Sequence, residues 1–310
     1  MADSTPRIAV TPPAFCQSET LRNELLRFFP RITFNPENRY LSEPELIDFL
    51  KGADGVIVGR DFIGETVLQA LPELKIVAKY GVGLDNIDQQ ALRRHGVQFG
   101  WTPGVNRLSV AELTLCFMIG LCHNVFSRGF DLKNNRWQKD GGRQLTGRTV
   151  GIIGCGHVGS EVVRLLSPFQ CRILIRDIVD KKDFCRQQGA KTATLDEVIE
   201  QADIVTLHVP LTDLTADLID AKVLRRMQPT AFLINTSRGE VVHEAALKNS
   251  LKNGEIAGAA VDVFSQEPPQ DLELLAHPNL MVTPHIGGNS VEAVTAMGRS
   301  AIHHLKEFFV

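Results

Sequence analysis

Three residues in the last quarter of the sequence have side chains suited to proton transfer and anion binding: Arg238, Glu267 and His285. Histidine is the usual acid or base near neutral pH, and a carboxylate partner favours its charged form. Arginine offers a forked, permanently charged donor for a carboxylate. Taken singly, a histidine shortly before two glycines is more often a turn residue, and an arginine after an apolar run is often only solvated. The trio is therefore a hypothesis for an acid–base site.

A glycine-rich stretch supplies a second chemical signal. Gly154, Gly156 and Gly159 have the spacing G-x-G-x-x-G, directly after the β-branched run 149–153. In a strand–turn–helix unit the first glycine permits the tight turn, the second lets a pyrophosphate approach the backbone, and the third lets the helix lie close to the strand. An apolar helical stripe and a second strand follow, and Asp177 ends that strand. Asp177 lies 18 residues after Gly159, close to the ~20 residues expected for a ribose-binding carboxylate. The order of these parts predicts a dinucleotide site.

A third stretch, K-Y-G-V-G-L-D-N-I-D at 79–88, places two glycines immediately after a predicted strand. Open α/β sheets bind ligands at the carboxyl edge of their strands, and exposed loop amides there suit a carboxylate. An ordinary glycine turn explains this motif equally well.

Strands and helices alternate along the chain, which predicts an α/β fold with two doubly wound parallel sheets and a second domain boundary near the chain end. Residues 1–103 with 287–310 are predicted as one domain and 104–286 as the other. Ser109 is predicted to cap a long helix that is apolar on nearly all sides, with Glu112 at the capping-box position. Such a helix is buried either in a deep core or against a partner subunit. The last helix, 290–309, is expected to return to the first domain.

Composition excludes several classes of protein. The chain has 310 residues with 44% hydrophobic and 22% charged content, which is ordinary for a globular protein of two domains. A net charge of -3 without a basic patch argues against nucleic acid as a partner. No apolar run reaches the ~18 residues of a membrane span, and the N-terminus lacks a signal-peptide pattern. Six scattered cysteines without metal spacing predict no metal site and a cytoplasmic location.

The sequence resembles the D-isomer-specific 2-hydroxyacid dehydrogenase family over nearly its full length, and among its members it is closest in motifs to the D-3-phosphoglycerate dehydrogenases. The matching stretches are 79–88, T-P-G-V-N-R-L-S-V-A-E at 102–112, L-T-G-R-T-V-G-I-I-G-C-G-H-V-G at 145–159, L-H-V-P-L-T at 207–212, N-T-S-R-G at 235–239, A-V-D-V-F-S-Q-E-P at 260–268 and T-P-H-I-G-G at 283–288. The resemblance implies a Rossmann nucleotide domain inserted into a flavodoxin-like substrate domain, and a homodimer formed through the nucleotide domain.

The resemblance also implies roles for single residues. Arg238 would bind the substrate carboxylate and keto oxygen, His285 would be the general acid/base, and Glu267 would be its charge partner. The cofactor would be NAD, since Asp177 should repel a 2′-phosphate, although Arg176 nearby weakens that inference, as do Lys181 and Lys182. The implied cofactor contacts are Gly154, Gly156, His157, Val158, Gly159, Asp177, His208, Val209, Pro210, Thr236, Asp262 and Gly287, with Val82 from the other domain.

The substrate is harder to predict than the family. Lys79 and Arg60 are two cations near the glycine loop, and together they suit a second anionic group such as a phosphate; the alternative is that both are solvated surface charges. The predicted substrate-binding residues are Lys79, Tyr80, Gly81, Val82, Gly83, Arg60 and Asn106.

The predicted function is NAD-dependent interconversion of a D-2-hydroxy acid and its 2-keto acid, with a second anionic group as in 3-phosphoglycerate. The alternatives are a glyoxylate/hydroxypyruvate or other small 2-keto acid reductase and a non-catalytic NAD(H)-sensing protein resembling a corepressor. Because no regulatory domain follows Val310, feedback control by serine is not expected.

Overall fold

Residues 5–310, the part of the chain that the computed structural model describes, divide into two structural units. Unit 1 contains the residues up to Asn106 together with Gly288–Val310, and unit 2 is Arg107–Gly287. Each unit is built around its own parallel sheet.

The sheet of unit 1 has five parallel strands in the order β2-β1-β3-β4-β5, which is the flavodoxin-like order. Its strands are β1 (Arg7–Val10), β2 (Arg31–Phe34), β3 (Gly55–Val58), β4 (Ile76–Lys79) and β5 (Gln98–Gly100), and the helices between them are α1 (Pro13–Gln17), α2 (Glu19–Leu26), α3 (Glu43–Leu50), α4 (Glu65–Ala70) and α5 (Gln89–Arg94). Every residue of β3 and β4 is buried, as expected of strands covered on both faces.

The sheet of unit 2 has seven parallel strands in the order β12-β11-β10-β9-β6-β7-β8, in which the strand order reverses between β6 and β9. Its strands are β6 (Thr149–Ile153), β7 (Arg172–Arg176), β8 (Lys191–Thr192), β9 (Ile204–Leu207), β10 (Phe232–Asn235), β11 (Gly258–Val261) and β12 (Leu280–Val282). Its helices are α6 (Arg107–Cys122), α7 (Val125–Lys133), α8 (His157–Leu166), α9 (Lys182–Gln188), α10 (Leu195–Gln201), α11 (Ala221–Arg226), α12 (Glu244–Asn253) and α13 (Leu272–Leu275). This is the doubly wound dinucleotide-binding topology, and the predicted fold class is confirmed.

The two faces of the unit 2 sheet have separate cores. Phe117 of α6 and Val163 of α8 pack with Ile152 on one face, whereas Val198 of α10 and Leu247 of α12 pack with neighbouring strand residues on the other. Two cores arise because successive side chains along a strand point to opposite faces of the sheet. Both faces are therefore covered by helices.

The start of α6 differs from the prediction. The helix begins at Arg107, so Ser109 lies inside its first turn and cannot be its cap. The Ser109 hydroxyl instead donates to the carbonyl of Gly287 at 2.5 Å, and Glu112 is exposed. The capping-box prediction at this helix is wrong, because a serine hydroxyl can donate to a distant carbonyl as readily as it accepts from a helix amide.

The last helix, α14 (Val291–Phe309), packs on the sheet of unit 1. Ser290 caps it by accepting the amide of Ala293 at 3.1 Å. Its buried residues Ala301 and Leu305 share a core with Ile8 and Ile57. The expected return of the chain to the first sheet is thus what the structure contains.

Within residues 5–310, no single helix combines the length and apolarity that crossing a membrane requires; α6 and α7 reach that threshold only as a pair bent by 66°, on length and composition alone.

Candidate active site

Strand register brings the predicted residues of unit 2 into one row. The last residues of β6, β9, β10, β11 and β12 pair across the sheet as Ile153, Leu207, Asn235, Val261 and Val282. The next residue along each strand is Gly154, His208, Thr236, Asp262 and Thr283. Ligands bind at this carboxyl edge, next to the point where the strand order reverses.

The three glycines after β6 meet different constraints. Gly154 has φ +89°, and a Cβ there would lie 2.5 Å from the carbonyl oxygen of His208. A Cβ on Gly159 would lie 2.0 Å from the carbonyl oxygen of Gly154. A Cβ on Gly156 would meet nothing within 4 Å. The first and third glycines are therefore required by the packing of the protein itself, while the space beside Gly156 is free for a ligand and fits a pyrophosphate next to the amides of His157 and Val158 at the start of α8.

Asp177, at the end of β7, is fixed against this turn. Its carboxylate accepts the amide of Cys155 at 2.6 Å and the amide of Val179 at 2.8 Å. The Arg176 guanidinium donates to the carbonyl of Asp177. A depression of about 290 Å³ lies beside the carboxylate and is lined by Ile175, Ile178, Val179, Lys181, Lys182 and Thr192 among others. An acid at this point suits the diol of a ribose.

His285 and Glu267 form a hydrogen-bonded pair. Nδ1 of His285 lies 2.9 Å from both carboxylate oxygens of Glu267, and the two side chains are 30% and 15% exposed. The backbone of His285 has φ +54°, and its amide donates to Thr283 at 3.0 Å. Glu267 is held in turn by the amide of Phe264 at 3.1 Å. With Nδ1 bonded to the carboxylate, Nε2 is the ring nitrogen left to exchange a proton with a ligand.

Arg238 follows β10 in a turn organised by Asn235. The buried Asn235 side chain donates to the carbonyl of Arg238 at 2.7 Å and accepts the amide of Ser237 at 3.0 Å. The Arg238 guanidinium donates to the carbonyl of Ser237 at 2.7 Å. A Cβ on Gly239 would lie 1.9 Å from the carbonyl carbon of Phe264. Any residue with a Cβ would clash at this position. Glycine therefore lets the turn that carries Arg238 lie directly against the segment that leads to Glu267.

Asp262 has a role that sequence reasoning missed. Its carboxylate is buried and accepts the hydroxyl of Thr283 at 2.6 Å and the amides of Ile286 and Gly287 at 2.8 Å each. These bonds tie both sides of His285 to the end of β11. The sequence shows only an acid at the end of an apolar strand, which predicts a ligand contact as readily as an internal anchor.

Of the remaining residues of the row, Thr236 is buried, whereas His208 and Thr283 are half-buried. Thr236 lies 3.0 Å from the hydroxyl of Thr114 in α6. Nε2 of His208 lies 3.0 Å from the hydroxyl of Thr206, and burial of the ring lowers the pKa of His208 to about 3, so its imidazole is neutral. Val209 and Pro210 continue this loop, and the Val209 side chain lies against Gly154.

The predicted substrate residues of unit 1 fall into two groups. Lys79 is only 4% exposed, so the alternative of a solvated surface charge is wrong for it. Tyr80 is also buried, edge-on to Phe15, and its amide donates to the carbonyl of Val58 at 2.8 Å. Arg60 is exposed, with its guanidinium carbon 5.6 Å from the centre of the Tyr40 ring.

The glycine loop that follows is partly exposed. Gly81 has φ +111°, which favours glycine, and the carbonyl of Val82 accepts the indole of Trp101 at 3.3 Å. Gly83 is partly exposed as well. Asn106 is half-buried, and a Cβ on Gly288 would lie 2.8 Å from its amide nitrogen. The roles of these residues in substrate binding stay predictions.

Comparison with known proteins defines the class. The model of the family described as "D-isomer specific 2-hydroxyacid dehydrogenase, NAD binding domain" matches residues 115–287. A glyoxylate reductase of Korarchaeum cryptofilum is 36% identical over 275 residues, 86% of this chain and 83% of that protein. The D-lactate dehydrogenase of Aquifex aeolicus, solved with NAD and lactic acid, superposes with a TM-score of 0.86 at 26% identity over 97% of this chain and 95% of that one. The protein belongs to the D-isomer-specific 2-hydroxyacid dehydrogenases, and its cofactor is NAD.

Relatives of another kind match at similar identity. The D-3-phosphoglycerate dehydrogenase of Synechocystis is 35% identical over 256 residues, which are 82% of this chain and 46% of that protein. The chain thus spans about half the length of that relative. Within residues 5–310, no group of three or more histidine, cysteine or acidic side chains is arranged to hold a metal ion.

Proposed function

We propose that this protein interconverts a D-2-hydroxy acid and its 2-keto acid, with unit 2 binding NAD and unit 1 serving as the substrate domain. The observation that supports this most directly is the His285–Glu267 pair at 2.9 Å, next to the turn that carries Arg238. A general acid/base, its carboxylate partner and an arginine are the groups that reduction of a 2-keto acid requires.

In the proposed reduction, the Arg238 guanidinium binds the substrate carboxylate and orients the keto oxygen. His285, held through Nδ1 by Glu267, gives the proton on Nε2 to that oxygen. Glu267 balances the charge of the imidazolium before transfer and keeps the ring in one orientation. When bound, NADH would supply the hydride that adds to the keto carbon, so that one keto acid, one hydride and one proton yield one hydroxy acid and the cofactor is left as NAD⁺. Oxidation reverses each step.

The cofactor residues follow from the same geometry. The open space beside Gly156 and the amides of His157 and Val158 would receive the pyrophosphate, and Asp177 would accept hydrogen bonds from the adenosine ribose. Helix N-termini carry a partial positive charge that favours such an anion. Thr236 and Asp262, at the ends of β10 and β11, would lie on the nicotinamide side.

For the substrate, we propose an acid with a second anionic group, as in 3-phosphoglycerate. The exposed Arg60 at the carboxyl edge of the unit 1 sheet is the cation that supports this proposal. The buried position of Lys79 favours the second candidate, a reductase of glyoxylate, hydroxypyruvate or another small 2-keto acid, because it leaves fewer exposed cations beside the glycine loop. Both names occur among relatives of similar identity.

The decisive experiment is oxidation of NADH with a panel of acids: 3-phosphohydroxypyruvate, sulfopyruvate, phosphonopyruvate, hydroxypyruvate, glyoxylate and pyruvate. A preference for doubly anionic acids by more than about tenfold, which is roughly 1.4 kcal/mol of discrimination, supports the first candidate. A preference for small acids with uncharged tails supports the second. Tight NADH binding without turnover of any acid would contradict both and leave an NAD(H)-sensing protein.

We also propose that two copies of the chain form a dimer through unit 2. Several large apolar side chains on and near α7 are exposed, namely Val125 at 53%, Phe126 at 50%, Phe130 at 64%, Leu132 at 56% and Trp137 at 75%. An exposed apolar surface of this kind marks an interaction site.

A further inference from the structure

Lys79, the last residue of β4, points its charge into the protein. Its side chain is buried, and its ammonium donates to the carbonyl of Gly59 and to Oδ1 of Asn86, the latter at 3.0 Å. An ammonium has three donors and no acceptor, and at least two of these donors are used inside unit 1. Lys79 is therefore placed to hold the chain, and not to face a ligand.

Asn86 extends the same contact. Its side-chain nitrogen donates to the carbonyls of Gly59 at 3.0 Å and Asp61 at 2.6 Å. The backbone carbonyl of Asn86 accepts the amide of Ile63 at 2.9 Å. The turn 59–61 that follows β3 is thus bound through two of its carbonyls to the segment that follows β4.

The carboxylate of Asp61 holds the other side of this turn. It is 2% exposed and accepts the hydroxyl of Thr11 at 2.5 Å and the amide of Leu41 at 2.8 Å. Thr11 directly follows β1. We call Lys79, Asn86 and Asp61 the turn clamp, because together they tie residues 59–61 to three other segments of unit 1.

The clamped turn carries Arg60 at its centre. Arg60 is exposed, and its guanidinium packs over the ring of Tyr40 at 5.6 Å, a contact that restricts the side chain. Val58 of β3 pairs with Lys79 of β4, so the turn lies at the carboxyl edge of the sheet, where such sheets bind ligands. A charged side chain recognises an anion best when the backbone segment that carries it is rigid.

We propose that Lys79 is a positioning residue and not an anion ligand: with Asn86 and Asp61 it fixes the turn that presents Arg60 to the second anionic group of the substrate. This inference rests on the proposed function for its substrate class. In this inference a single cation, Arg60, distinguishes doubly anionic acids from small acids with uncharged tails. The sequence suggested two cations for this task, Arg60 and Lys79.

The first test compares the specificity ratio, kcat/KM for 3-phosphohydroxypyruvate over kcat/KM for glyoxylate, in Arg60→Met, Lys79→Met, Asn86→Ala and the double variants with Arg60→Met. We expect each single variant to lower the ratio at least tenfold, and neither clamp variant to lower it further when Arg60 is already methionine. Coupled residues give such non-additive effects. Asn86→Ala is the informative case because it leaves the charge of Lys79 in place. If Asn86→Ala leaves the ratio unchanged while Lys79→Met lowers it in both backgrounds, then Lys79 contacts the anion directly and the inference is wrong.

The second test does not depend on turnover. The amide of Asp88 donates to the carbonyl of Ile63 at 2.9 Å. In hydrogen-exchange measurements on the full chain, Lys79→Met and Asn86→Ala should speed exchange at the amides of Leu41, Ile63 and Asp88, while the strands of unit 2 keep their protection. Unchanged exchange at these amides would overturn the clamp. If exchange speeds up but Arg60→Met leaves the ratio unaltered, the positioning role of Lys79 stands and the proposed doubly anionic substrate fails.

Discussion

His285 and Glu267 are linked through a single ring nitrogen, and that bond decides which nitrogen can react. Since Nδ1 lies 2.9 Å from each carboxylate oxygen, proton transfer must use Nε2. A histidine held in this way resembles the orienting arrangement found in other acid–base sites. The chemistry proposed at the residue scale therefore depends on this contact and on the turn that carries Arg238 against the segment leading to Glu267.

Substitution His285→Asn should lower kcat by about 10²–10⁴, because the amide cannot deliver a proton to the keto oxygen. Binding of NADH, measured by fluorescence titration, should stay within about twofold of the parent protein, since the glycine turn is untouched. Turnover equal to that of the parent protein would refute the catalytic role of His285.

The half-buried His208, whose ring nitrogen Nδ1 is buried and whose imidazole is neutral, predicts a pH dependence of stability. Its pKa is lowered from 6.5 to about 3, so between these values the unfolded chain binds a proton that the folded chain does not. The contribution of His208 to the free energy of unfolding should be fully present above pH 6.5. It should fall as the pH drops towards 3, by up to about 1.4 kcal/mol per pH unit. His208→Gln keeps a polar partner for Thr206 and removes the titration. Urea unfolding from about pH 7 down to about pH 4 should show a shallower loss in the variant; parallel curves would contradict the assignment.

At this scale the sequence predicts types of chemistry better than positions. Arg238, Glu267 and His285 could be chosen from their side chains and from the motifs around them. The anchoring bonds of Asp262 and Asn235, and the inward direction of Lys79, could not, because they depend on strand register and on which polar group each turn leaves unpaired. A charge at the end of a strand looks the same in a sequence whether it meets a ligand or a carbonyl.

The glycine turn between β6 and α8 separates two demands on one element. Gly159 is required for the helix to approach the strand, whereas Gly156 is required by nothing inside the protein. Substituting each of them by alanine should therefore produce opposite phenotypes.

Gly156→Ala should change the free energy of unfolding by less than about 1 kcal/mol and raise the Kd for NADH by at least about tenfold, because its methyl group enters the space proposed for the pyrophosphate. Gly159→Ala should destabilise the fold by more than about 2 kcal/mol, since its Cβ would lie 2.0 Å from a carbonyl oxygen. Thermal unfolding with and without NADH measures both. Normal NADH affinity in Gly156→Ala would place the cofactor elsewhere.

Most elements could be predicted from apolar runs and their punctuation, and the errors have physical reasons. β2 is half exposed, with alternating exposed and partly buried residues, and β5 has only three residues; neither has the continuous apolar run of a buried strand. Thr194 shows the spacing of a capping box in the sequence, and the structure contains it, with reciprocal bonds between Thr194 and Glu197 at 2.7 and 3.1 Å. The similar pattern at Ser109 does not, because the hydroxyl there has a distant partner.

At the scale of the whole molecule, the exposed apolar surface of α7 predicts the state of association. A chain of 34.2 kDa should sediment as a dimer, and Phe130→Glu should shift it to the mass of one chain by placing a charge in an apolar contact. The matched control is Phe62→Glu, which changes a phenylalanine of unit 1 that is 51% exposed, against 64% for Phe130. A parent protein that sediments as a single chain would overturn the proposed dimer.

The helix α14 also sets the order in which the chain can fold. It supplies Ala301 and Leu305 to the unit 1 core, yet the ribosome makes it only after all of residues 107–287. Until then one apolar face of the nascent first sheet is covered only in part, by Phe15 of α1 and Leu21 and Leu25 of α2, while unit 2, which is continuous in sequence, can fold in the meantime. Closing the unit 1 core then requires contacts between the most distant parts of the chain, and such contacts form slowly. Synthesis rate and chaperone capture should consequently affect the first sheet more than the nucleotide-binding one.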